Sequence, residues 1–149
     1  MTTDLTQLVR QRIEELSEAG NAKAEAGDWD GALAEYREAL KLLPNPLDHW
    51  SEATWLLTAI GETLFFSGNL DEARDALQGA LLCPEGSDSA FIHLRLGQVE
   101  LERHNTDRAK DELARAYMLG GDEVFAGEDP KYWRFIREVL RPPDKEVGG

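Results

Sequence analysis

The sequence predicts an all-α protein built from paired helices, and three observations carry that prediction. Glycine and alanine recur at the same offsets in three successive stretches of the chain. Between them, apolar residues fall at helical spacing. Glycine, asparagine, aspartate and proline stand where helices should start and stop.

The first stretch runs Gly20-x6-Gly27-x4-Ala32-x3-Tyr36-x2-Ala39-x4-Pro44. Its first helix is expected to begin near Thr3 or Asp4, with Leu5, Leu8, Ile13 and Leu16 inward. Gly27 supplies the permissive backbone of a tight turn, and Asp28 caps the helix that follows. There Leu33, Tyr36, Leu40 and Leu43 repeat at helical spacing until Pro44 stops the helix.

The second stretch runs Gly61-x6-Gly68-x4-Ala73-x3-Leu77-x2-Ala80-x3-Pro84. Gly68 is its turn residue, Asn69 its cap, and Asn69 with Glu72 has the form of a capping box. Gly61 follows Gly20 by 41 residues, seven more than a repeat of about 34 requires. Seven residues are nearly two helical turns, so the added length predicts a longer helix beginning near Asp48, just after Pro46. The third stretch runs Gly97-x6-His104-x4-Ala109-x3-Leu113-x2-Ala116, with Gly120-Gly121 in place of the proline. Asn105 is its cap, and His104 replaces the turn glycine as a tolerated positive-φ residue.

Stacked repeats need a cap. Asp129-Pro130 reads as a helix start, followed by Trp133, Ile136 and Leu140 on one stripe with Tyr132 and Phe135 nearby. This predicts a capping helix over 130–141, a lead-in loop over 120–128 with Val124 and Phe125 tucked down, and a disordered tail over 142–149. The organisation expected is a single domain over 1–141, with repeats at 13–46, 54–87 and 90–121.

Charge narrows the function. The net charge is −13, and residues 1–86 carry 6 basic against 16 acidic side chains. Such a field repels phosphate backbones and anionic lipid, which disfavours nucleic-acid and membrane binding, and it favours a basic protein partner. The longest apolar stretch, 55–66, is interrupted by Thr58, Gly61, Glu62 and Thr63 and is shorter than a membrane span. Cys83 is the only cysteine, so no internal disulfide can form. With no export pattern in Met1-Thr2-Thr3-Asp4, a cytoplasmic setting is expected. His49, His93 and His104 lie far apart, and the acidic clusters lack a calcium-loop pattern, so no metal or cofactor is expected. Asp30, Asp71 and Glu72 read as helix-start charges. His93 reads as a packed, hydrogen-bonded imidazole. No serine, cysteine or lysine stands in a nucleophile motif, so the chain does not read as an enzyme.

The spacing resembles the tetratricopeptide repeat (TPR) family in all three stretches. That resemblance implies three helix–turn–helix repeats in a right-handed superhelical stack with a C-terminal capping helix. It also implies a groove lined by the first helix of each pair. Carried over position by position, the groove residues are Glu14, Ser17, Glu18, Asn21 and Glu25, then Trp55, Thr58, Ala59, Glu62, Phe65 and Phe66. The third repeat supplies Phe91, Leu94, Arg95, Gln98, Leu101 and Glu102. Trp55 and Phe66 should project furthest; Phe65 and Phe91 suit core packing equally well. TPR modules that grip the acidic tails of heat-shock chaperones share a clamp of lysines, asparagines and arginine. Here only Asn21 and Arg95 match, while Ser17, Ala59 and Phe91 stand at the other positions, which disfavours that role.

The chain also resembles short acidic bacterial TPR proteins that end in the same way, with Ala116-Tyr117-Met118-Leu119-Gly120-Gly121 and Glu128-Asp129-Pro130-Lys131-Tyr132. Some of these accompany secreted toxins. This implies a stoichiometric immunity or inhibitor protein for a basic toxin or enzyme. A chaperone of the type III translocator class, which the architecture resembles, and a general adaptor are the alternatives. A monomer or weak homodimer is expected.

Overall fold

The computed structural model describes residues 5–140, and among these every regular element is helical. Two compact units divide the chain after Asp88. The first holds α1 (Gln7–Glu25), α2 (Trp29–Lys41), α3 (Ser51–Phe66) and α4 (Leu70–Leu81). The second holds α5 (Ala90–Glu102), α6 (Thr106–Gly120) and α7 (Pro130–Leu140). The tail expected over 142–149 and the last residue expected of the capping helix lie outside the described residues.

The helices pair as the small residues predict. A Cβ on Gly20 would lie 2.6 Å from the Tyr36 ring, on Gly61 2.5 Å from Leu77 Cγ, and on Gly97 2.6 Å from Leu113 Cδ2. The glycine of each first helix is therefore the seat of the large residue of its second helix. Ala32 and Ala39, Ala73 and Ala80, and Ala109 and Ala116 flank those residues, all fully buried. The three intra-pair turns are also alike. The amides of Asp28, Asn69 and Asn105 donate to the carbonyls of Lys23, Leu64 and Glu100, each at 2.8 Å. The residue before each takes a left-handed backbone: Gly27 at φ 80°, Gly68 at 88° and His104 at 64°. This is a Schellman ending, and His104 performs it without glycine's freedom.

Several expectations need correction. Helix α1 begins at Gln7, not near Thr3 or Asp4, because the Thr6 hydroxyl accepts from the Val9 amide and caps it there. Leu8 is 77% exposed instead of inward. It lies about 140° round the helix from Ile13, which with Leu16, Ser17 and Gly20 forms the buried stripe. Helix α3 begins at Ser51, not Asp48. The extra residues form a short 3-10 turn, Leu47–His49, after a cis Asn45–Pro46 bond. Trp50 is extended and buried, and its indole donates to the Pro44 carbonyl at 2.7 Å. Burying that indole against its own connector wins over carrying the helix back to Asp48, almost one further turn. Asp28 caps α2 by accepting from Gly31, but Asn69 and Asn105 make no side-chain cap bond. The capping box of Asn69 and Glu72 does not form: Asn69 donates to Ser67, and Glu72 faces Arg37.

In the second unit, α5 is buried continuously from Ile92 through Glu100. Helix α7 starts as predicted, with Asp129 accepting from the Lys131 amide, and buries Tyr132 and Ile136. Phe125 of the lead-in is buried, Val124 half-buried, and Trp133 packs in tilted ring contact with both Phe125 and Tyr117.

Candidate partner-binding faces

In the first unit, Glu14, Glu18, Asn21 and Glu25 fall on one stripe of α1, and all four are exposed. Trp55, Glu62 and Phe66 fall on one stripe of α3, with Trp55 44% and Phe66 51% exposed. The two stripes share Tyr36. Its hydroxyl donates to Asn21 Oδ1 at 2.6 Å. Burial raises that hydroxyl above its ordinary pKa, and the negative charges of Glu62 and Glu25 push the same way. Asn21 thus holds the phenol directly, while Glu62 and Glu25 act on it through their charge. The cations of α1 are already engaged, Arg10 with Glu52, Arg12 with Glu15 and Lys23 with Glu35. Helix α3 contains no lysine or arginine. Glu14, Glu18 and Glu25 enter no ion pair among the described residues, so the face stays acidic. Ser17 is buried and donates to the Ile13 carbonyl; Thr58, Ala59 and Phe65 are half-buried.

Sequence reasoning missed Trp29. It opens α2, and its ring stacks on Phe66 at 5.9 Å and 24°. The signal lay in its place directly after the capping Asp28, but nothing in the spacing tied it to a residue of the next repeat.

In the second unit, the expected partner contacts are mostly occupied within the chain. Arg95 is 6% exposed and Gln98 fully buried. Both donate to Glu128 of the lead-in loop, Gln98 at 2.8 Å, and Arg95 also donates to Gln98 at 2.7 Å. The Arg95 guanidinium lies 4.8 Å over the Phe91 ring, which remains 38% exposed. Leu94 is fully buried and Leu101 half-buried. Glu102 accepts from Lys131 and Tyr132 of α7, each at 2.7 Å. The Lys131 hydrogen bond holds the Glu102 carboxyl below its ordinary pKa, with burial opposing and Tyr132 assisting. His93 meets Glu112 at 2.9 Å with both side chains buried, the packed imidazole that the sequence predicts. Among the described residues, no group of three His, Cys, Asp or Glu is arranged to hold a metal ion, and no helix is long and apolar enough to cross a membrane.

Residues 13–46 match the family model of the tetratricopeptide repeat. No curated protein matches the chain in sequence. The fold is similar to the Arabidopsis OM64 TPR domain, with a TM-score of 0.71 and 17% identity over 89% of this chain and 99% of that one. It is similar to the second TPR domain of human RPAP3, solved with the HSP70 peptide SGPTIEEVD. The TM-score there is 0.68, at 11% identity over 89% of this chain and 98% of that one. PcrH from Pseudomonas aeruginosa is also similar, with a TM-score of 0.70 and 16% identity over 95% of this chain and 98% of that one. The fold is that of TPR repeats with a capping helix.

Proposed function

We propose that this chain is a non-enzymatic, cytoplasmic protein-binding module that holds a basic protein, most specifically as a stoichiometric immunity or inhibitor protein for a basic toxin or enzyme. One observation carries the reading: the first unit exposes Trp55 and Phe66 beside the row Glu14, Glu18 and Glu25, which no cation of α1 or α3 neutralises. Exposed aromatics supply anchor energy at interfaces, and a uniform charge steers the encounter. The acidic peptide held by human RPAP3 is a poor fit here. The one matching clamp cation, Arg95, is already bound to Glu128.

The same exposed Trp55 and Phe66 favour a second reading, a chaperone that holds an apolar segment of a secreted protein. Salt separates the two, because electrostatic association weakens as ionic strength rises and apolar association does not. The experiment is a pull-down with tagged protein from the native host at low and high salt. A single basic partner released by salt supports the inhibitor reading. Recovery unaffected by salt and abolished by Trp55→Ala refutes it in favour of the chaperone.

A further inference from the structure

An open cavity of about 470 Å³ lies against the first half of α1, lined by Leu5, Gln7, Arg10, Gln11 and Glu14. Gln7, Gln11 and Glu14 follow one another at spacings of four and three residues, so they share one stripe of the helix, and all three are exposed. Arg10 is drawn across to α3 by its ion pair with Glu52, which neutralises its guanidinium. The Glu14 carboxylate enters no ion pair or hydrogen bond among the described residues. It therefore holds the unbalanced charge of the lining. It also stands about two turns into the helix, beyond the first turn over which the positive end of the helix dipole acts.

Resting on the reading that the first unit binds a basic protein, we propose that this cavity seats a lysine of the partner. Its ammonium donates to Glu14, with the side-chain oxygens of Gln7 and Gln11 as further acceptors. Its aliphatic stem lies along Leu5, as long cationic side chains lay their stems on apolar surface. The lining selects lysine over arginine. An ammonium presents three rotatable donors, which suits one carboxylate and two amide oxygens set along a stripe. A guanidinium gains most from a ring to stack on, and the five lining residues include no aromatic side chain.

The test titrates the isotopically labelled full chain with three end-capped peptides of equal length, bearing lysine, arginine or uncharged acetyl-lysine in a glycine–serine background. The side-chain amides of Gln7 and Gln11 report by nuclear magnetic resonance. The lysine peptide should shift both signals, the arginine peptide should bind about threefold more weakly, and the acetyl-lysine peptide should shift neither. Glu14→Gln should weaken lysine binding about fivefold. Glu15→Gln removes an acid of the same helix outside the cavity and should leave lysine binding unchanged. Circular dichroism of each variant checks that the helices remain. Equal weakening by Glu14→Gln and Glu15→Gln means a general field in place of a seat; it overturns the proposal and leaves the basic-partner reading standing. Arginine binding as tightly as lysine overturns the choice of lysine. Silence of both signals with every peptide also overturns the seat, and the host pull-down then judges the broader reading independently.

Discussion

Gly61→Ala and Gly79→Ala add the same methyl group to neighbouring helices, yet packing predicts effects of opposite sign. A Cβ on Gly61 would stand 2.5 Å from Leu77 Cγ, 2.8 Å from Leu77 Cδ2 and 3.4 Å from the Ala73 carbonyl. Carbon atoms settle at about 3.5–4.0 Å, so the shortfall is about 1 Å. Leu77 is fully buried between Ala73 and Ala80 and has no open side to swing into. Overpacking of this kind costs about 1–3 kcal/mol. Replacing glycine by alanine inside a helix returns about 1 kcal/mol. Gly61→Ala should therefore destabilise by about 1 kcal/mol net. At Gly79 the new Cβ meets only Leu57 Cδ1, at 3.5 Å, so the helix gain stands alone and the variant should be stabilised by about 0.5–1 kcal/mol. Urea unfolding followed by circular dichroism measures both, with an unchanged slope confirming that stability alone has moved. A Gly61→Ala protein as stable as its parent, or two shifts of the same sign, would refute the packing argument.

His104→Gly should stabilise the chain by about 0.5–1 kcal/mol in the same assay, since glycine takes a positive φ without the Cβ penalty. Glu112→Ala should destabilise by about 1–3 kcal/mol by removing the buried carboxylate that meets the His93 imidazole; thermal melts of the full chain would register it. The Glu102–Lys131 contact gives stability a two-sided pH dependence. Glu102, held below its unfolded value near 4.5, stabilises above that value and loses its contribution as pH falls through the folded pKa. Lys131, raised above 10.5 chiefly by its hydrogen bond to Glu102, contributes below that value and loses it as pH rises through the folded pKa. Glu102→Gln should flatten both limbs of a plot of urea midpoint against pH, and unchanged limbs would count against the pair.

The repeats were legible because close helix approach demands small residues, and small residues at fixed offsets survive as a pattern in one dimension. Gly20, Gly61 and Gly97 announce the seats of Tyr36, Leu77 and Leu113 before any coordinate is known. The faces were less legible, because exposure depends on what lies across from a residue. Arg95 and Gln98 sit at positions that face outward in the repeat pattern, but Glu128 reaches them from a loop that belongs to no repeat. Trp29 escaped notice for the converse reason: its role comes from Phe66, in the following repeat. The start of α3 was misjudged because helical phase allowed two added turns equally well, whereas burial of Trp50 decided otherwise.

That buried indole has a consequence for how such a chain can vary. Had the added residues continued α3, every change of length would rotate the helix by about 100° per residue and swing its inward stripe away from α4. Insertions would then be tolerated only near whole turns. Because the connector folds back, with Trp50 clasping the Pro44 carbonyl, length is taken up before the helix begins. Residues can be added or removed singly between Pro44 and Trp50 while α3 keeps its phase, which makes this connector the place to graft a tag or a recognition sequence.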